Sequence, residues 1–220
     1  MAAIESFVND YDEYTNDGLF QRIANDISSK GYSVNPAALH PGLLLEHLAQ
    51  MNAGKFTQAG IGRDTQHMQN IFVRQDEICW ITGESEPGRR WLSWAAELQQ
   101  FLNRRLFLGL FSFESHFAHY SPGDYYRRHL DAFKGEANRV LSLVVYLNPD
   151  WTLDDGGELL LYRDMHDMEG LRITPAAGTV VVFLSEDFPH EVLTAHRDRY
   201  SIAGWFRVNT STAERVDPPL

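Results

Sequence analysis

Nine histidines are spread through the 220 residues, and two of them stand two positions before an acid: His129-Leu130-Asp131 and His196-Arg197-Asp198. With 30 acids in the chain, chance alone supplies about one such pair, so spacing by itself is weak evidence. Its meaning comes from the strand period of two, which puts residues i and i+2 on one face. An imidazole and a carboxylate side by side, joined by a second imidazole from another strand, make a three-ligand set on one face of a metal ion. Three coordination positions stay open, the arrangement suited to non-haem Fe(II) and oxygen chemistry. Position separates the two pairs. No histidine follows His196, whereas Pro189-His190-Glu191 supplies a distal histidine after His129. The candidate ligands are therefore His129, Asp131 and His190.

Arg199 lies beyond His190 on the last strand-like run. A buried arginine near such a metal has a specific use, because its planar fork takes a carboxylate through two parallel hydrogen bonds. A cosubstrate that chelates iron through a 2-oxo acid end would present a second carboxylate to it. Taken alone, Arg199 fits a surface ion pair with Asp198 or Glu191 equally well.

The elements that must position these groups fall into two halves. Phe20, Ile23, Ala24 and Ile27 form a helical stripe that Asp17 could cap and Gly31 ends. A second helix is expected from Pro41, with Leu44, Leu48 and Met51 on one side. The strongest runs from Trp91 to Leu106, with Trp94, Ala95, Leu98, Phe101 and Leu102 on its apolar face. Strand-like runs follow at Phe111–Tyr120, Arg139–Leu147, Glu158–Tyr162, Thr179–Leu184 and Tyr200–Val208, separated by Pro, Gly, Asn and Asp turns. Short strands at even spacing predict a barrel or double-sheet jelly roll. The division is residues 1–110 as helical support and substrate-loop region of the same domain, 111–209 as the β core, and 210–220 as a loose tail.

Composition narrows the class. Lys plus Arg number 19 against 30 acids, a net charge of -11, which disfavours duplex DNA and anionic membrane surfaces. Cys79 is the single cysteine and cannot form an internal disulfide, which suits a reducing compartment. Met1 to Tyr14 carries no Lys or Arg, unlike a secretory signal, and no apolar run approaches the ~18 residues of a spanning helix. A cytoplasmic, monomeric protein that binds neither nucleic acid nor membrane is expected.

Between Phe72 and Arg207 the chain resembles the 2-oxoglutarate- and Fe(II)-dependent dioxygenases, and within them the prolyl hydroxylases of the oxygen-sensing type and their bacterial relatives. The blocks that carry the resemblance are Val73-Arg74-Gln75-Asp76, Tyr120-Ser121-Pro122-Gly123, Tyr126 with His129-Leu130-Asp131, and Val145-Tyr146-Leu147-Asn148-Pro149-Asp150-Trp151. They continue at Gly156-Gly157-Glu158-Leu159, Pro189-His190-Glu191-Val192 and Arg199-Tyr200-Ser201-Ile202 with Trp205. The resemblance implies a double-stranded β-helix, mainly β with flanking helices. It implies Fe(II) on His129, Asp131 and His190, and 2-oxoglutarate held by Arg199 and Tyr146, with Tyr120 lining the pocket. Arg139 and Trp205 would flank the substrate entrance, and Arg74 and Asp76 would serve the substrate side by positioning a covering loop. O2 would be the second cosubstrate and ascorbate a candidate reductant. The substrate would be a protein loop containing proline, with elongation factor Tu suggested by the bacterial relatives. The turn between Tyr120 and His129 is one residue shorter than in the animal oxygen sensors, and Ala203 replaces a threonine near their cosubstrate.

Plainer readings stand beside these. Tyr146 fits a core tyrosine in an apolar strand. Of Trp205 and Phe206 one must face the core. His116 and His119 are read as structural. The run Thr82–Gly88, with two glycines and a proline, suggests that residues 74–90 form a mobile cover. An oxygenase of the same mechanism with another amino-acid or small-molecule substrate, and a barrel that binds metal or 2-oxoglutarate without turnover, are the alternatives to a protein hydroxylase.

Overall fold

The computed structural model describes residues 16–39, 42–43, 56–59, 74–132 and 138–210. Helix α1 (Asp17–Lys30) buries Leu19, Phe20, Ile23, Ala24 and Ile27, and stops where Gly31 takes φ 79° and donates its N–H to Ile27 O. The residue before it, Asn16, occupies the cap position expected of Asp17 and makes no side-chain cap. Its amide instead bridges to Glu97 and to the Trp94 indole, both on the second helix. That helix, α2 (Glu86–Leu106), buries Trp91, Trp94, Ala95, Leu98 and Leu102. Ser85 caps it by accepting from the Gly88 N–H at 3.1 Å.

Eleven strands are described, in two antiparallel sheets. The larger has the order β1 (Tyr32–Asn35), β9 (Val180–Leu184), β6 (Arg139–Tyr146), β11 (Arg199–Arg207), β4 (Ser112–Tyr120), β3 (Glu77–Trp80), β2 (Thr57–Gln58). The smaller has β5 (Tyr126–His129), β10 (His190–Val192), β7 (Leu159–Leu161), β8 (Leu171–Ile173). The two nine-residue strands β4 and β11 pair over their whole length, from Arg199 opposite Tyr120 to Arg207 opposite Ser112.

Alternation gives the larger sheet two different faces. Phe117, Leu141, Leu143, Val145, Val180, Val182, Ile202 and Phe206 pack with the apolar stripes of α1 and α2. Ala118, Tyr120, Tyr146, Val181 and Phe183 face the smaller sheet and meet Leu159, Leu161, Ile173 and Val192. The same face carries Arg199, Ser201, Ala203 and Trp205, which alternate with Ile202, Gly204 and Phe206 along β11. Trp205 and Phe206 are thus both buried, on opposite sides of one strand.

Several expectations change. The first 110 residues contribute β1, β2 and β3 to the larger sheet as well as helices. Within residues 74–90, where a mobile cover is expected, Glu77–Trp80 is a strand paired with β4, and the turn after it is fastened to α2. Arg89 donates to the carbonyls of Gly83 and Glu84, both at 3.0 Å, and to Glu86. These hydrogen bonds supply the anchoring that the composition of Thr82–Gly88 does not reveal. The helix expected at Pro41 lies outside the described residues apart from Gly42 and Leu43, as does the tail 211–220.

Gly204 shows how tightly the helix-facing side is filled. A Cβ there would lie 2.6 Å from Phe113 Cζ and 2.9 Å from Ser115 Cβ. Gly204→Val should lower unfolding free energy by about 1–3 kcal/mol through overpacking, measured by urea denaturation. Unchanged stability would mean that β11 and Phe113 do not meet in this way.

Candidate metal centre

Cross-strand register brings the first two ligands together. β10 pairs with β5 so that His190 sits directly opposite His129. Each Nδ1 faces a backbone carbonyl two residues upstream, Arg127 O at 2.8 Å for His129 and Phe188 O at 3.1 Å for His190. A carbonyl can only accept, so both Nδ1 atoms carry hydrogen and both Nε2 lone pairs are free for a metal. Asp131 completes the set from the bend just past β5. Its Oδ1 is 3.6 Å from His129 Nε2 and its Oδ2 is 3.6 Å from His190 Nε2. Among the described residues this is the group of three whose ligand atoms converge, all within 4.8 Å of one another. The second His-x-acid pair is dispersed: His196 Nδ1 donates to Asp154 O, while Asp198 binds His119.

The protonation states suit a cation. Burial would raise the Asp131 carboxyl, but the two imidazoles and the Ser142 hydroxyl outweigh it and hold Asp131 well below the usual carboxylate range. Burial and the neighbouring His129 push His190 down to about 4, leaving it neutral at pH 7. Ser142 donates to Asp131 Oδ2 at 2.6 Å and so fixes the carboxylate plane. Sequence reasoning missed Ser142, although a serine on the inward face of the apolar strand β6 was a usable signal.

A second polar group lies on the same inward surface. Arg199 is 2 % exposed. Its Nε donates to Gly157 O at 2.7 Å, its Nη1 approaches Ser201 Oγ at 3.4 Å, and its guanidinium carbon lies over the rings of Tyr120 and Tyr146 at 4.9 and 5.1 Å. No carboxylate of the described residues pairs with it, so the surface ion pair with Asp198 or Glu191 is set aside. The Tyr146 hydroxyl is buried without a hydrogen-bond partner among the described residues. Burial pushes that hydroxyl up to about 12 and the guanidinium pulls against it, so it stays a neutral donor. A buried cation without an anion and an orphaned donor beside it are the features a carboxylate ligand would satisfy.

The four residues assigned to the substrate side divide. Trp205 and Arg139 stack at 3.7 Å on the inward face, where Arg139 also binds Glu114 at 2.7 Å. Trp205 pairs across the sheet with Ser142, the residue that holds Asp131, and its buried indole N–H has no partner among the described residues. Arg74 and Asp76 are placed differently. Asp76 is fully buried with both oxygens bonded to Arg74, at 2.7 and 2.6 Å. Arg74 lies over Tyr126 at 4.6 Å, and Tyr126 stacks on His129 at 3.6 Å, which makes the pair a brace behind a metal ligand.

Comparison with known proteins agrees with this geometry. Residues 115–207 match the model of the 2OG-Fe(II) oxygenase superfamily. A Pseudomonas putida prolyl-4-hydroxylase structure is 36% identical, with a TM-score of 0.74, and the alignment covers 86% of this chain and 98% of that one. The chain belongs to the 2OG-Fe(II) oxygenase superfamily. Its fold is accordingly the double-stranded β-helix. Within the superfamily it is also similar to a Trichoplax adhaerens prolyl hydroxylase, solved with a hypoxia-inducible factor peptide, at 27% identity and a TM-score of 0.76 over 87% of this chain and 90% of that one. Human Egl nine homolog 1 is 27% identical over 163 residues, covering 70% of this chain. The matched part is 38% of that human protein, so the chain spans well under half the length of this curated relative. No helix among the described residues is long and apolar enough to cross a membrane.

Removing Asp131 takes away one of three ligands, and removing Ser142 frees the ligand's orientation. Asp131→Ala should abolish measurable Mn(II) binding in calorimetry, and Ser142→Ala should weaken it about 10-fold. Equal binding by native protein and Asp131→Ala would show that the metal sits elsewhere.

Proposed function

We propose that the protein is a 2-oxoglutarate- and Fe(II)-dependent prolyl 4-hydroxylase acting on a protein substrate. The observation that carries this reading is the buried Arg199 without an anionic partner, beside the orphaned Tyr146 hydroxyl, on the surface that also faces the His129–Asp131–His190 set. The donor set fits Fe(II), two imidazole nitrogens and one carboxylate. The Arg199–Tyr146 pair fits the distal carboxylate of 2-oxoglutarate. When bound, these groups and O2 supply the oxidation: the oxo acid becomes succinate and CO2, and one oxygen atom enters a substrate C–H bond.

The chain's own residues orient and enclose. Ser142 and the Arg127 and Phe188 carbonyls hold the ligands in place. Apolar neighbours such as Val181, Phe183 and Leu161 keep water from the interior. Trp205, stacked under Arg139, and Arg139, paired with Glu114, would shape the substrate side of the same inward face. Asp76 and Arg74 serve this side indirectly, through Tyr126.

The substrate is proposed as a proline-containing loop of a protein, with elongation factor Tu as the first candidate, and the enzyme as a cytoplasmic monomer assayed with ascorbate as reductant. Incubation with Fe(II), 2-oxoglutarate, ascorbate and elongation factor Tu should yield succinate and one oxygen per modified proline by mass spectrometry. Succinate formed only with another substrate would assign the same mechanism to a different target. Tight binding of both ligands without succinate would favour a binding module.

In the same assay, Arg199→Ala should raise the 2-oxoglutarate requirement far more than Tyr146→Phe. The first leaves a carboxylate in the interior without its charge partner, a loss of roughly 3–5 kcal/mol. The second removes one charge-assisted bond, about 1.5–3 kcal/mol. A larger effect at Tyr146 would overturn Arg199 as the main anchor.

A further inference from the structure

Arg199 can present its fork to a ligand only if the rest of the side chain is held, and what holds it lies outside the pocket. A short bracket, Pro149 to Gly157, folds through a single 3-10 turn at Leu153–Asp155 and ends in two glycines with φ 63° and 66°. Gly157 contributes the carbonyl that receives Arg199 Nε. A Cβ on Gly157 would lie 2.9 Å from Arg199 Cδ and 3.3 Å from Trp151 Cζ2, so the glycine is sandwiched between the arginine stem and the indole. The indole is tied to the same turn, with Trp151 Nε1 donating to Gly156 O at 3.0 Å inside the protein. On its other side lies Arg197, 4.4 Å above the ring, held by Pro149 O at 2.8 Å and by Asp155 at 3.4 Å. The bracket is laced to the strand that leads into β11 by Gly157 N–H to Thr194 O and His196 N–H to Asp155 O.

These contacts form a column that runs inward from the half-exposed Arg197 through Trp151 and Gly157 to Arg199. Among the described residues Trp151 makes no hydrogen bond to a metal ligand and stacks on neither Tyr120 nor Tyr146. We infer that Trp151 is a positioning residue for the carboxylate anchor: by fixing the Gly156-Gly157 turn it sets the place of the carbonyl that orients Arg199, and through it the affinity for the distal carboxylate of a 2-oxo diacid. This rests on the reading of Arg199 as that anchor. A tryptophan kept only for packing would affect stability and all ligands alike. A positioning tryptophan affects the one ligand group that Arg199 meets.

The test uses a pair of ligands, 2-oxoglutarate and 2-oxopentanoate, which share the chelating end and differ in whether the far end is a carboxylate or a methyl. Calorimetry is done on the 220-residue chain loaded with Mn(II) without O2, for native protein, Trp151→Phe and Arg197→Gln. Native protein should prefer 2-oxoglutarate strongly. Trp151→Phe keeps a ring but loses the hydrogen bond to Gly156 O, and should bind 2-oxoglutarate 5- to 10-fold more weakly. Binding of 2-oxopentanoate and of Mn(II) should stay within 2-fold. Arg197→Gln, at the outer end of the column where folding is not at stake, should show a 2- to 3-fold loss of the same selective kind. Equal losses for both ligands in the two variants, or no loss for 2-oxoglutarate, would overturn the positioning role. Native protein that did not distinguish the two ligands would instead overturn the anchor reading, and this inference with it.

Discussion

Arg199 carries a positive charge into an interior where no carboxylate of the described residues pairs with it. Such a group is costly, and a fold keeps it only when its hydrogen bonds and π contacts are arranged around it. The Gly156-Gly157 turn leaves room for its stem, and Tyr120 and Tyr146 offer ring faces to its plane. The Tyr146 hydroxyl beside it has no hydrogen-bond partner among the described residues. One bidentate ligand carboxylate would satisfy both groups at once. On the proposed reading, the interior of the barrel is built around a charge that a ligand completes.

The larger sheet makes this arrangement sturdy by giving its two faces different tasks. Toward α1 and α2 it is apolar and close-packed, with Trp91 at zero exposure and Gly204 leaving no space for a methyl group. Toward the smaller sheet it bears Tyr120, Ser142, Tyr146, Arg199 and Trp205. The same strands serve both faces, so packing on the helical side fixes the backbone from which the polar residues project. The smaller sheet contributes His129 and His190 from adjacent strands, and their direct register sets the spacing of the two imidazoles.

Much of this was legible in the sequence, for reasons that differ by residue. The long strands and α2 announced themselves through periodicity, and the order His129, Asp131, His190, Arg199 carried the site. The short strands β2, β8 and β10 hold two or three residues each, too few for a period to show, whereas β7 falls inside the expected run Glu158–Tyr162. Asp131 was expected to share a strand face with His129, yet it lies in the bend beyond β5 and reaches the site through Ser142. The turn after β3 looked loose because glycine and proline were counted and the hydrogen bonds of Arg89 and Ser85 could not be. Asp76 is fully buried and holds Arg74 over Tyr126, a three-residue stack that spacing along the chain does not show.

The most direct measurement is a crystal structure of the full chain grown without O2 in Mn(II) and 2-oxoglutarate. The account predicts a metal bound by Nε2 of His129, Nε2 of His190 and the Asp131 carboxylate. It also predicts the distal carboxylate of the ligand in bidentate contact with Arg199 and accepting from the Tyr146 hydroxyl. Metal density away from these three residues, or a ligand whose free carboxylate points away from Arg199, would contradict it.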